Sequence, residues 1–207
     1  MMDLNEIMSS ALELAKPVER ASLTEQDKQE AARLMIDAGY MPYDKPAFLR
    51  LVGYLAHKRQ GTAGRGLLML GTPGNGKTMW MNKFSGCRVW AAQELVDVYN
   101  DSIEAAKGIV WPEAYQRENA GYRDLAIDDL GTEPAVNVRY GTKENVIQIL
   151  LEHRYNMFTR NPSSKLYLSA NLPEDELKDR YGLRVWSRLH EMCTIVPFTA
   201  EDHRTKG

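Results

Sequence analysis

The chain has 207 residues, enough for one substantial domain and a small appendage, and its apolar and charged fractions, 43% and 26%, are those of a globular protein. With 26 Lys+Arg against 28 Asp+Glu it carries a net charge of -2, which excludes a globally basic nucleic-acid binder and leaves any such surface to local clusters. No run approaches the roughly 20 apolar residues of a membrane span, Asp3 and Glu6 replace the basic start of a signal peptide, and Cys87 and Cys193 lack metal-ligand spacing, so the expected compartment is the cytoplasm with both thiols reduced.

Residues 1–62 read as a helical region separate from the remainder, either a partner-binding appendage or helices packed on the core. Leu4, Ile7, Met8, Ala11, Leu12 and Ala15 recur at helical spacing until Pro17. A second helix is expected over 24–38, opened by Thr24 with Asp27 in its first turn and stopped by Gly39. Tyr40-Met41-Pro42-Tyr43 reads as a hinge-like break, and a third helix is expected over 45–59. Its basic end, His57-Lys58-Arg59, suits a helix C-terminus. Residues 61–66, rich in glycine, lead into an apolar strand at 66–70.

The stretch that follows, GTPGNGKT over 71–78, fits the phosphate-loop pattern G-x-x-x-x-G-K-[ST] at every fixed position. Gly71, Gly74 and Gly76 let the backbone curl so that successive N–H groups converge on phosphates, in a loop that Thr72, Pro73 and Asn75 complete. Lys77 is placed to reach the β- and γ-phosphates and Thr78 to join a magnesium shell. The helix expected from Met79 to residue 84 points its positive end at the same anion. The pattern predicts a nucleoside triphosphate site.

A short strand is expected at 87–90 and a helix at 92–100. Residues 101–122 give no clear pattern, and their aromatics, Trp111, Tyr115 and Tyr122, suit packing or base stacking alike. A strand over 124–129 ends in the acid pair Asp128-Asp129. Beside a phosphate loop, Asp128 is the expected magnesium carboxylate and Asp129 the group that activates the attacking water, with Glu133 sharing that role or orienting Asp129. An amphipathic helix is expected over 143–158, in which His153 reads as a core or boundary residue. The strand 165–169 ends at Asn171, whose amide would lie beside the two acids or simply make a turn. Over 177–192, Arg180, Arg184 and Arg188 share one helical face unless Gly182 breaks the helix; they form a solvated stripe, or Arg188 is an arginine finger. A last strand is expected at 194–198. The five apolar strands alternating with helices predict an α/β P-loop NTPase, a parallel sheet flanked by helices, with its site beyond the strand C-termini.

GTPGNGKT, AIDDLGTEP, Tyr140-Gly141-Thr142 followed by ILLEHRYN, LSANL and RYGLRVWSRLHEM, in that order, resemble the AAA+ ATPases of the DnaC-type helicase loaders and the similar IstB-type transposition ATPases. The resemblance runs from about residue 62 to 198. It implies an AAA+ core over 63–200, a tail over 201–207 and no C-terminal lid. It also implies ATP and Mg²⁺ as cofactors, Asn171 as the sensor-1 residue and self-association through Arg188, with Arg184 or Arg180 also near the neighbouring subunit. The implied partners are a replicative helicase and single-stranded DNA, or alternatively a transposase. The acid pair reads Asp-Asp where many AAA+ proteins have Asp-Glu.

Overall fold

The computed structural model describes residues 22–101, 124–139 and 141–200. Among them the strands are β1 (Gly66–Gly71), β2 (Val89–Ala91), β3 (Leu125–Leu130), β4 (Asn137–Arg139), β5 (Thr142–Glu144), β6 (Leu166–Ala170) and β7 (Cys193–Phe198). The helices are α1 (Glu25–Asp37), α2 (Lys45–Arg59), α3 (Lys77–Phe84), α4 (Ala92–Asp101), α5 (Val146–Arg160), α6 (Glu174–Tyr181) and α7 (Leu183–Met192). Five strands pair in parallel in the order β2-β3-β6-β1-β7. They are the five expected from the sequence, and the fold is the expected α/β sheet with helices on both faces.

Alternation along the strands builds two cores. Leu68, Leu70, Ile127 and Leu168 face α4, α5, α6 and α7, whereas Leu67, Met69, Ala126, Tyr167 and Val196 face α1, α2 and α3. A strand buried on both faces reads as a continuous apolar run, which is why these strands were legible. Each fully buried leucine of β1 contributes roughly 1.5–3 kcal/mol by removal of apolar surface from water.

The N-terminal helices are part of this packing. Ala31 and Met35 of α1 and Leu51, Val52 and Leu55 of α2 are buried in the second core, and α2 lies beside β7. Residues 25–59 pack on the core. Thr24 caps α1 in a reciprocal box with Asp27, and Asp44 caps α2 by accepting from the Ala47 N–H at 2.9 Å. The helix expected over 4–15, the 102–122 stretch with Trp111, Tyr115 and Tyr122, and the tail 201–207 lie outside the described residues.

One expectation is corrected. The helix foreseen from residue 143 starts at Val146, because Asn145 caps it by accepting from the Gln148 N–H at 3.0 Å and residues 142–144 pair with β4. That antiparallel hairpin was not foreseen; it is fastened to α4 by paired Asn100–Asn137 amides and by Tyr99 donating to Glu144 at 2.7 Å. At the other end of the chain, Gly182 breaks the helix as its composition suggested, giving α6 and α7 in place of one arginine-striped helix. Cys193 is buried, and burial pushes its thiol up to about 12. Half-buried His153 is held below the usual imidazole range by burial and by Arg154. Among the described residues no helix is long and apolar enough to cross a membrane.

Candidate functional site

The loop between β1 and α3 turns on glycine. Gly71, at φ 128°, lies so close to β7 that a Cβ there would stand 2.0 Å from the Phe198 carbonyl oxygen. Gly76, at φ 85°, opens α3 in the left-handed region and faces the Tyr40 ring. Lys77 is only 5% exposed, and its ammonium donates to the Gly71 and Thr72 carbonyls at 2.7 and 2.6 Å. Curled backbone, the N-terminus of α3 and a cation thus share one end of the sheet, an arrangement suited to an anion.

Because β6 runs between β1 and β3, the ends of all three strands meet there. Asp129 and Asn171 line the same cleft of about 540 Å³ as residues 73–79 of the loop, so Lys77, Thr78 and Met79 stand with them. Asn171 donates its amide N–H to Asp129 Oδ1 at 2.8 Å, and its own Oδ1 is buried without a hydrogen-bond partner. Such an acceptor suits a water or an N–H in the cleft. Asp128, 8% exposed, lies deeper, its carboxylate accepting from the Ser169 hydroxyl. The structure thus brings the phosphate-loop residues, Asp129 and Asn171 to one cleft, which Asp128 does not line.

Glu133 does not join them. Its side chain is fully buried, accepting from the Gly131 N–H at 2.9 Å, the Tyr181 hydroxyl at 2.6 Å and Arg180 Nε at 3.1 Å. With three donors fixed on it, this carboxylate anchors the loop after β3 to α6 and is not a candidate base. Arg180 is correspondingly committed within its own chain, while Arg184 is exposed. Arg188 stands on α7 against α5, its guanidinium 4.6 Å from the centre of the Tyr155 ring and 3.9 Å from Glu152. It does not line the cleft.

Sequence reasoning missed one wall. Gly39, read as a helix stop, and Tyr40, Met41 and Tyr43, read as a hinge-like break, line the same cleft as Asp129. Tyr40 is buried and donates to the Asn75 carbonyl at 3.3 Å; burial and then Asp44 raise its phenol, so it remains a neutral donor. Met41 and Tyr43 are more than half exposed and present a thioether and a ring to the opening. No local signal announced this contact, because it spans 35 residues of sequence.

Asp44 ties that wall to the loop. Besides capping α2, its Oδ2 accepts from the Thr199 and Ala200 N–H groups at 2.6 and 2.9 Å. The Ala200 carbonyl then accepts from Thr72 Oγ1 at 2.6 Å and Asn75 Nδ2 at 2.9 Å. Burial alone would raise the Asp44 carboxyl, but these donors outweigh it and hold it below the usual carboxylate range. Asp44→Ala is expected to cost about 3 kcal/mol, a lost cap plus stranded N–H groups, or roughly 10 °C in melting temperature. A depressed carboxyl stabilises above its unfolded pKa and ceases to do so as pH falls through the folded one. The difference in melting temperature should therefore be full at pH 7 and shrink below about pH 4, and thermal unfolding across pH 3–7 measures it.

No family model and no curated protein matches the chain. Among solved structures it is similar to the crystal structure of the DnaC helicase loader, at 19% identity and a TM-score of 0.46, over 77% of this chain and 92% of that one. A likeness of that size says nothing about activity, so what this chain does is read from its own loop, acids and arginines.

Proposed function

We propose that the chain is a magnesium-dependent ATPase working as an oligomeric switch that loads a replicative helicase onto single-stranded DNA. The observation that carries the ATPase reading is the cleft in which the glycine loop and buried Lys77 meet the Asp129–Asn171 pair. Its oxygen donors fit the metal: Thr78 at the start of α3 and Asp128 at the end of β3 are the residues that would hold Mg²⁺, a hard cation that prefers such ligands. When bound, it would neutralise charge on the phosphates. Lys77 would exchange its two backbone carbonyls for phosphate oxygens, and Met41 and Tyr43 offer surface to the base. Asp129 accepts the proton of the attacking water, and Asn171 orients that water through its unpartnered oxygen.

The loader reading adds Arg188 as the group one subunit lends to the next, and is supported by the order of the motifs from GTPGNGKT to RYGLRVWSRLHEM. Hydrolysis would then time the release of a partner. With net charge near zero, DNA affinity is expected to be weak until subunits align their basic faces. The test is co-elution of the purified chain with the replicative helicase of its host, with ATP and with ADP. Nucleotide-dependent association is the expected result. Failure in both states would overturn the loader reading and send the search to a transposase partner.

A further inference from the structure

In an unbroken strand Asp128 and Asp129 would point to opposite faces of the sheet. That alternation is interrupted here, because β3 gains a residue against β6. Ile127 pairs with Leu168 and Leu130 with Ala170, so two acids on β3 stand opposite one residue, Ser169, on β6. This is a bulge, uncommon between parallel strands. Its second acid has φ 56°, the one positive φ at a non-glycine residue among the described residues. Backbone held there is strained and needs surrounding structure to fix it. Ser169 supplies that. It is fully buried; its Oγ accepts from the Asp129 N–H at 2.9 Å and donates to Asp128 Oδ1. Two residues on along the chain, Asn171 takes the Asp129 carboxylate.

We infer that Ser169 is a positioning residue whose single hydroxyl sets both acids, turning the Asp128 carboxylate toward a metal and the Asp129 carboxylate toward water. The inference rests on the ATPase reading above. A hydroxyl suits the task because it accepts and donates at once, so the backbone of one acid and the side chain of the other share one reference point.

The test compares Ser169→Ala and Ser169→Thr with the unaltered chain. In the alanine variant, nucleotide affinity without divalent metal should stay within about twofold, since the glycine loop and Lys77 are untouched. Turnover should fall about 30-fold or more, and the Mg²⁺ concentration for half-maximal rate should rise about tenfold. Threonine, which restores the hydroxyl, should recover most of both. A readout without turnover is Mn²⁺ binding by electron paramagnetic resonance in the presence of a non-hydrolysable ATP analogue, where alanine should weaken the metal about tenfold. If alanine keeps turnover and metal affinity within threefold, or if both variants lose metal-free nucleotide binding alike, the positioning role is overturned. An unaltered chain that binds ATP and Mn²⁺ without hydrolysing it would overturn the ATPase reading instead, and the Mn²⁺ comparison would still decide the role of Ser169.

Discussion

Replacing Lys77 with alanine is expected to abolish triphosphate binding, with affinity falling at least about 100-fold, while the chain stays folded. The buried ammonium donates to the Gly71 and Thr72 carbonyls, which meet it as dipoles. A triphosphate would offer full negative charge at the same place, and a charge-assisted contact in a partly dry cleft is worth more than one in water. Lys77 is a member of neither apolar core, so the variant is expected to fold. Titration with a fluorescent ATP analogue measures the loss. Thermal unfolding provides a second measure: ATP at 100 times its dissociation constant stabilises by about 2.7 kcal/mol, a rise of roughly 5–10 °C for a chain of this size. The alanine variant should show no rise. Affinity retained within threefold would remove the phosphate-loop assignment.

Much of this site was legible because its chemistry is local in sequence. The glycines, Lys77 and Thr78 fall within eight consecutive positions, and Asp128, Asp129 and Asn171 end apolar strands that burial on both faces makes easy to see. What the sequence hid are contacts that close only in three dimensions. Tyr40 reaches Asn75 and Asp44 reaches Thr199 across the sheet edge, so a run that looked like a hinge is a wall of the cleft. Glu133 illustrates the converse. Its position close behind the acid pair suggested chemistry, yet Tyr181 and Arg180, almost fifty residues on, claim the carboxylate. The hairpin at 137–144 went unseen because its strands have three residues each and are mostly polar, and the Asn100 amide and Tyr99 hydroxyl of α4 secure it. The bulge at Asp128-Asp129 has no sequence signature either. It follows from register, which is set by pairing.

Arg188→Ala is expected to leave ATP binding and folding intact and to reduce turnover about 1000-fold, the scale on which arginine fingers act. In its own chain the guanidinium makes a stretched pair with Glu152 and lies over the Tyr155 ring, with its side chain 14% exposed. The side chain does not line the cleft of its own subunit. The decisive experiment mixes variants. Lys77→Ala chains lack a functional phosphate loop but keep Arg188, whereas Arg188→Ala chains bind ATP but lend no arginine. Each alone should be nearly inactive. Mixed, they should form interfaces in which an intact loop meets an intact arginine, and turnover should return as a fraction of that of the unaltered chain, rising with total protein concentration. Activity retained by Arg188→Ala alone would sink the finger assignment, because no neighbour would then be needed. Inactivity of the mixture, with both variants folded and assembling, would place the essential arginine elsewhere, and exposed Arg184, one turn earlier on α7, would be the next to replace.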